Sequence, residues 1–202
     1  AALISLFSHR PDLVTPVPPD IASLAVRASS APSLARAIDA LNAWHYQVLE
    51  ACAIAPEPFT EKAIAALTDK AALFIVPGLL ERGLIFQGKD GYYLPTTVRE
   101  VLGNEIQGLG PQTVVKLNLK KLDEAPPAAK KALEAMVWGP PRGTVADVKK
   151  PGAGVAWLLE NNFVVAANTK TVLLVREVAL ALRGGKLHKD LQIQAPELKS
   201  EK

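Results

Sequence analysis

The chain has 202 residues, 49% of them hydrophobic, with 16 prolines, 13 glycines and a formal net charge of +3. That length allows one large domain or two small ones, and the scattered prolines and glycines predict several short elements. The sequence has no run of about 18 apolar residues, which excludes a helical membrane span, and no signal-peptide pattern opens the chain.

Residues 3–8 read as a short helix. The proline segment over 15–20 is extended, because each ring fixes φ and pushes the residue before it out of the helical region. Asp20 caps a helix in which Ile21, Leu24, Ala25 and Ala28 recur at helical spacing. Ser30 caps the next, with Leu34, Ile38 and Leu41 on one side. Residues 43–55 are helical, with Val48, Leu49 and Ala53 inward. Thr60 caps the helix after them, and a third spans 71–83, with Pro77 near its start and Gly83 as its stop. Two β-rich runs around the turn 88–91 predict a hairpin. Thr96 or Thr97 then caps a short helix ended by Gly103. Residues 104–125 read as a linker holding one strand, 113–119. Beyond it come a helix with proline in its first turn and a loop over 139–143. A helix capped by Thr144 and a third helix over 151–162 follow. A hairpin turns at Asn168 and Thr169, and a closing helix ends at Gly184 and Gly185. The tail from Leu187 is polar and mixed in charge, and is expected to be poorly ordered. A start at Ala1 is expected of an excised fragment or processed product.

The same order occurs twice, and three short strings mark it. Leu79-Leu80-Glu81 recurs 79 residues later, Val98-Arg99-Glu100 recurs after 77, and Leu49-Glu50 after 84. Three short helices followed by a hairpin is the winged-helix form of the helix-turn-helix. The expected fold class is therefore mainly α with small β-hairpins (α+β). An N-terminal helical segment (1–42) precedes a first winged-helix unit (43–103). A linker (104–125), a second unit (126–185) and a polar tail (186–202) follow. The competing reading is two unrelated α+β pieces that share a few dipeptides.

No phosphate loop, dinucleotide fingerprint or nucleophile elbow occurs. His9, His45 and His188 have no ligand partners at zinc spacing, so neither a metal nor a cofactor is expected, and nothing argues for an enzyme. Cys52, the only cysteine, sits in an apolar run and reads as a buried inert thiol, which fits a cytoplasmic location.

Charge is uneven. Residues 1–103 carry 8 Lys/Arg against 10 Asp/Glu, whereas residues 104–202 carry 15 against 10. An anionic partner is therefore expected on the second half. Lys149 and Lys150 precede its third helix, and Lys170 lies in its wing. Arg183, Lys186 and Lys189 follow its closing helix. Lys120 and Lys121, with Lys130 and Lys131, add charge upstream. Lysines suit contact with phosphate in any sequence, so weak, nonspecific DNA binding is expected. Asn161 and Asn162 read as helix C-caps rather than base readers. In the first unit, Phe74 and Ile75 are either core, the favoured reading, or a docking patch for a protein partner. Trp44, Trp138 and Trp157 read as core rather than as stacking platforms for single strands.

The strings "RPDLVTPVPPDIASLAVRAS", "ALNAWHYQVLEACA" and "VREVALALRGG" together resemble actinobacterial helicase-associated proteins that share a conserved domain of XPB-type helicases. The resemblance spans most of residues 6–185, and "EVALALRGG" is its most specific part. Val175-Arg176 stands where that family has a Leu-Pro-Arg type approach. The resemblance implies a DNA-linked role and a helicase-like region further along a longer parent chain. That region, or another protein of DNA metabolism, would be a partner. It implies no activity for this part, which lacks the nucleotide-binding motif.

Overall fold

A computed structural model describes residues 2–193, which are mainly helical with small antiparallel strand pairs. The chain divides into two compact units. Among the described residues, one comprises 2–104 together with 190–193; the other is Glu105–Lys189. The sequence-based segment 1–42 is thus part of the first unit, and all but the first residue of the linker 104–125 lies in the second.

In the first unit, α1 (Ala2–His9), α2 (Ile21–Ala28) and α3 (Ala31–Asp39) precede α4 (Ala43–Ile54). The Asp20 carboxylate accepts from the Ser23 N–H at 2.6 Å, and the Asn42 side chain accepts from the His45 N–H at 2.9 Å. Both satisfy N–H groups that the first turn of a helix leaves without partners. Ser30 stands at the N-cap position of α3 but makes no capping bond; its hydroxyl donates to the Arg27 carbonyl. The centre of the unit is α4, where Trp44, Val48, Leu49 and Cys52 are buried. Burial pushes the Cys52 thiol up to about 12, so it stays protonated and inert.

Thr60 caps α5 (Glu61–Leu67), as expected. The third helix is broken into a 3-10 turn, Lys70–Phe74, and α6 (Val76–Glu81). Pro77 has no N–H to give, and it is tolerated only because it lies in the first turn of α6. The strands β1 (Phe86–Gln87) and β2 (Tyr92–Tyr93) form the hairpin, and Phe59 bridges the other edge of β2 through Tyr92. α7 (Thr96–Leu102) closes the unit with Pro95, not a threonine, at its N-cap.

Arg10 and Leu13, which flank the exposed Pro11 and the half-buried Asp12, are interior. Arg10 is 2% exposed. Its guanidinium donates to the Ala28 carbonyl at 2.8 Å, the Ser33 hydroxyl at 2.6 Å and the Arg82 carbonyl at 3.4 Å. It therefore closes the C-terminal ends of α2 and α6, where carbonyls are unpaired and the helix dipole favours a cation.

The second unit opens with 3-10 turns at Ile106–Gly108 and Leu119–Glu124. The expected strand over 113–119 does not form. Instead the segment is held by backbone contacts to the closing helix: Arg176 N–H donates to Pro111 O, and Thr113 N–H to the Glu177 carboxylate. After α8 (Pro127–Val137) comes β3 (Arg142–Thr144). Thr144 therefore ends a strand, paired with Thr171, rather than capping a helix. Threonine suits both roles, and the distant pairing partner decides between them. α9 (Ala153–Glu160), β4 (Val164–Ala166), β5 (Thr171–Leu174) and α10 (Arg176–Leu182) complete the unit, with strand order β3-β5-β4. The expected tail also begins too early. Gly184 and Gly185 take φ of 66° and 81°, the chain reverses, and Leu187 and His188 are buried. Residues 194–202 of that tail lie outside the described residues.

The repeat appears in the backbone of each unit. After α6, Gly83 takes φ 66° and Leu84 N–H bonds to Leu79 O at 3.0 Å; after α9, Asn162 takes φ 57° and Phe163 N–H bonds to Leu158 O at 2.9 Å. These are matching left-handed helix stops, 79 residues apart. Phe59 opposite Tyr92 corresponds to Gly143 opposite Val172, which continues the 84-residue offset of Leu49 and Leu133. Between these anchors the second unit is five residues shorter and has no counterpart of α5. The Val-Arg-Glu string is a false anchor. Val98, Val175 and Val178 are all buried, but Val98 is the third residue of α7, whereas Val175 is the N-cap of α10, and it is Val178 that stands third in that helix.

Gly154 lets α9 pack closely on α8. A Cβ there would lie 2.7 Å from the Ala128 carbonyl carbon and 2.8 Å from the Ala129 nitrogen. Gly154→Val is expected to lower the stability of this unit by about 1–3 kcal/mol, read as a shift in the urea midpoint followed by circular dichroism.

Candidate nucleic-acid interface

Three of the sequence-predicted lysines meet at one edge of the second unit's sheet. Backbone bonds draw them together: Val145 N–H donates to Lys170 O at 2.9 Å, and Val148 N–H to Thr169 O at 2.8 Å. The loop holding Lys149 and Lys150 is thus zipped to the β4–β5 turn holding Lys170. Each side of this junction is shaped locally. Asp147 accepts from the Lys149 N–H at 2.9 Å, and Asn168 accepts from the Lys170 N–H at 2.9 Å, both turns of the Asx type. All three side chains are exposed, and among the described residues none forms an ion pair. Asp147 is the nearest acidic group in the loop, and one of its oxygens is occupied by that backbone N–H. Three ammonium groups against one carboxylate leave the edge positive.

The helix that follows this loop adds no base-reading group to this edge. α9 reads AGVAWLLE, without Arg, Lys, Asn or Gln, and Glu160 is its only charge. Asn161 is engaged: its amide donates to Trp157 O at 2.8 Å, and its carbonyl oxygen accepts from Lys121 Nζ at 3.0 Å. Asn162 is the left-handed stop. Both therefore serve the helix end, as expected. α6, VPGLLE, is equally poor in donors.

The other candidates fall elsewhere. Lys120 and Lys121 are exposed on the 3-10 turn, and Lys121 reaches the C-terminal end of α9, opposite the end that Lys149 and Lys150 precede. Lys186 and Lys189 are exposed on the reversed segment after α10. Arg183 is not a surface cation: it is 6% exposed. Its Nε donates to Val137 O at 2.7 Å, Nη1 to Leu187 O at 3.2 Å and Nη2 to Gln107 O at 2.9 Å. Burial lowers its pKa from the ordinary arginine value, and the three carbonyls supply the compensation that a buried charge requires.

Phe74 also departs from expectation. It is 86% exposed, while Val76 is core and Ile75 is half-buried. Of the tryptophans, Trp44 is buried and Trp157 packs edge-on to Phe163, with ring centroids 5.6 Å apart. Trp138 is 43% exposed, and the Arg183 guanidinium carbon lies 4.4 Å from its ring centroid. The sequence does not expose this pair, because its partners are 45 positions apart and each ends a different helix.

A cavity of about 380 Å³ opens between Leu122, Leu133, Val137 and Leu182. Asp123 and Glu134 line it against a single Lys130, so its charge does not suit phosphate. Among the described residues no group of three His, Cys, Asp or Glu side chains could hold a metal ion.

Arg183→Gln is expected to cost the second unit about 3 kcal/mol, because three carbonyls lose charge-assisted partners. Lys149→Ala is expected to stay within about 0.5 kcal/mol. Urea unfolding of the two variants checks the contrast. No protein-family model, curated protein sequence or solved structure matches the chain.

Proposed function

We propose that the chain is a noncatalytic tandem winged-helix module that helps a helicase-associated protein engage nucleic acid without sequence specificity. The observation that carries this reading is the convergence of Lys149, Lys150 and Lys170 at one sheet edge. Supporting the winged-helix part is the element order of the second unit, helix, strand, helix, strand, strand, with the first strand beside the last. The wing is then the β4–β5 hairpin, and its lysines contact phosphate. The absence of base-reading donors on α6 and α9 accounts for the lack of sequence preference. The parent chain's helicase-like region remains the proposed partner in cis, on the strength of the family resemblance alone, with a cytoplasmic, nucleoid-associated location.

The test is fluorescence anisotropy with labelled DNA across a salt series. Changing Lys149, Lys150 and Lys170 together to Glu is expected to weaken binding at least tenfold. It should also flatten the log–log salt slope by about 2 to 3, one screened phosphate contact per lysine. Binding with an unchanged slope would remove this edge from the interface.

A second reading, docking on a protein of DNA metabolism, is favoured by one observation, the 86% exposure of Phe74. In that case Phe74→Asp abolishes co-purification of the parent's helicase-like region with this module, and leaves DNA binding as it was.

A further inference from the structure

We infer that Trp138 is a stacking platform for an unpaired nucleobase, so that the proposed nucleic-acid site takes single strands in preference to duplex. This rests on the phosphate-binding reading of the second unit and adds the part of the ligand that phosphate contact leaves unspecified.

Trp138 ends α8 as its C-terminal cap residue. One face of its ring is covered by the Arg183 guanidinium, 4.4 Å from the centroid. With 43% of the residue still exposed, surface remains for a ligand. An exposed indole is ordinarily mobile, but this one is backed by a group that cannot move. Arg183 is fixed through Nε, Nη1 and Nη2 to three carbonyls from three separate segments. The platform is therefore ordered before a ligand arrives, and the ordering cost of stacking is already met. The guanidinium behind the ring also makes the local potential positive, which favours a polyanion. Bases of an intact duplex are stacked on each other and offer no free face, so only an unpaired base can use the ring. Stacking of this kind tolerates any base, in keeping with third helices that read none.

The platform and the lysine edge are close enough for one strand to reach both. Trp138 precedes Val145 by seven residues, and Val145 is bonded to Lys170 O. Seven residues of extended chain span at most about 25 Å. At about 3.4 Å per stacked nucleotide that is roughly seven nucleotides, within the 4–16 that single-strand modules of comparable size cover.

The test compares three labelled ligands at low salt: a twelve-residue oligothymidylate, an abasic strand of the same length, and a duplex of the same length. The wild-type chain is expected to bind the thymidine strand at least fivefold more tightly than the abasic one, and more tightly than the duplex. Trp138→Leu, which keeps an apolar contact over Arg183 but removes the ring, is expected to bind the thymidine and abasic strands equally. Trp138→Phe is expected to restore most of the difference. Far-ultraviolet dichroism and the urea midpoint of each variant establish that it is folded. Should Trp138→Leu unfold, the wild-type comparison of thymidine with abasic strand decides alone. Equal wild-type binding of those two strands overturns the inference, and so does a base preference that survives in folded Trp138→Leu. If the triple lysine-to-glutamate variant binds like wild type while the base preference still follows Trp138, the phosphate reading fails and the platform stands. Absence of binding to all three ligands overturns both.

Discussion

Each unit depends on how the helix before its hairpin stops. The chain must leave α6 and α9 in the left-handed region, turn back and deliver a large apolar residue to the core. Gly83 and Asn162 supply that conformation, one without a Cβ and the other with a short polar side chain that tolerates it. Leu84 and Phe163 then fall into fully buried positions, tied by one hydrogen bond each to Leu79 and Leu158. The hairpin begins at the next residues, so its register against the helix follows from that single stop. A β-branched residue at either stop would strain the backbone and loosen the hairpin with it.

Buried arginine is the second device, and each unit has one. Arg10 closes the ends of α2 and α6 in the first unit, and Arg183 bonds the end of α8 and two loop carbonyls in the second. Burying a guanidinium is unfavourable in itself, and both have their pKa lowered by desolvation. The cost is offset because these carbonyls, at helix ends and in turns, lack partners within regular structure. Both arginines, in "RPDL" and in "ALRGG", stand beside residues that end a helix. In both, the arginine is a structural part rather than a contact for a ligand.

What was legible in the sequence was local chemistry. Asp20 and Thr60 were readable as caps because the hydrogen bond they make spans three residues. Gly83, Gly103 and the two hairpins were readable for the same reason. What was not legible depended on partners far along the chain. The stretch 113–119 has the alternation of a strand, but no strand edge receives it. Thr144 has a cap's chemistry, but β5 claims it. The Val-Arg-Glu string matched in letters while its two copies sit three residues out of phase in their helices. Of the candidate site, the charge bias of the second half could be read directly. The meeting of Lys149 and Lys150 with Lys170 could not, because it is made by backbone bonds across about twenty residues. Arg183 looked like a surface cation because its partners are distant or lie beyond the reversal at Gly184 and Gly185, which brings Leu187 O back to its guanidinium.

The resulting account separates the work of the second unit into parts. Helices α8 and α9 pack on the sheet, Arg183 ties the end of α8 to the segment after α10, and Lys149, Lys150, Lys170 and Trp138 form the proposed ligand surface. The most direct test of this division is a titration of the isotopically labelled chain with a short single-stranded DNA, followed by amide and indole chemical shifts. The account predicts that shifts concentrate at residues 145–150 and 168–170 and at the Trp138 indole, with the α9 amides and the surroundings of Phe74 unmoved. Shifts centred on Phe74 and the first unit, or none at all at low salt, would contradict it.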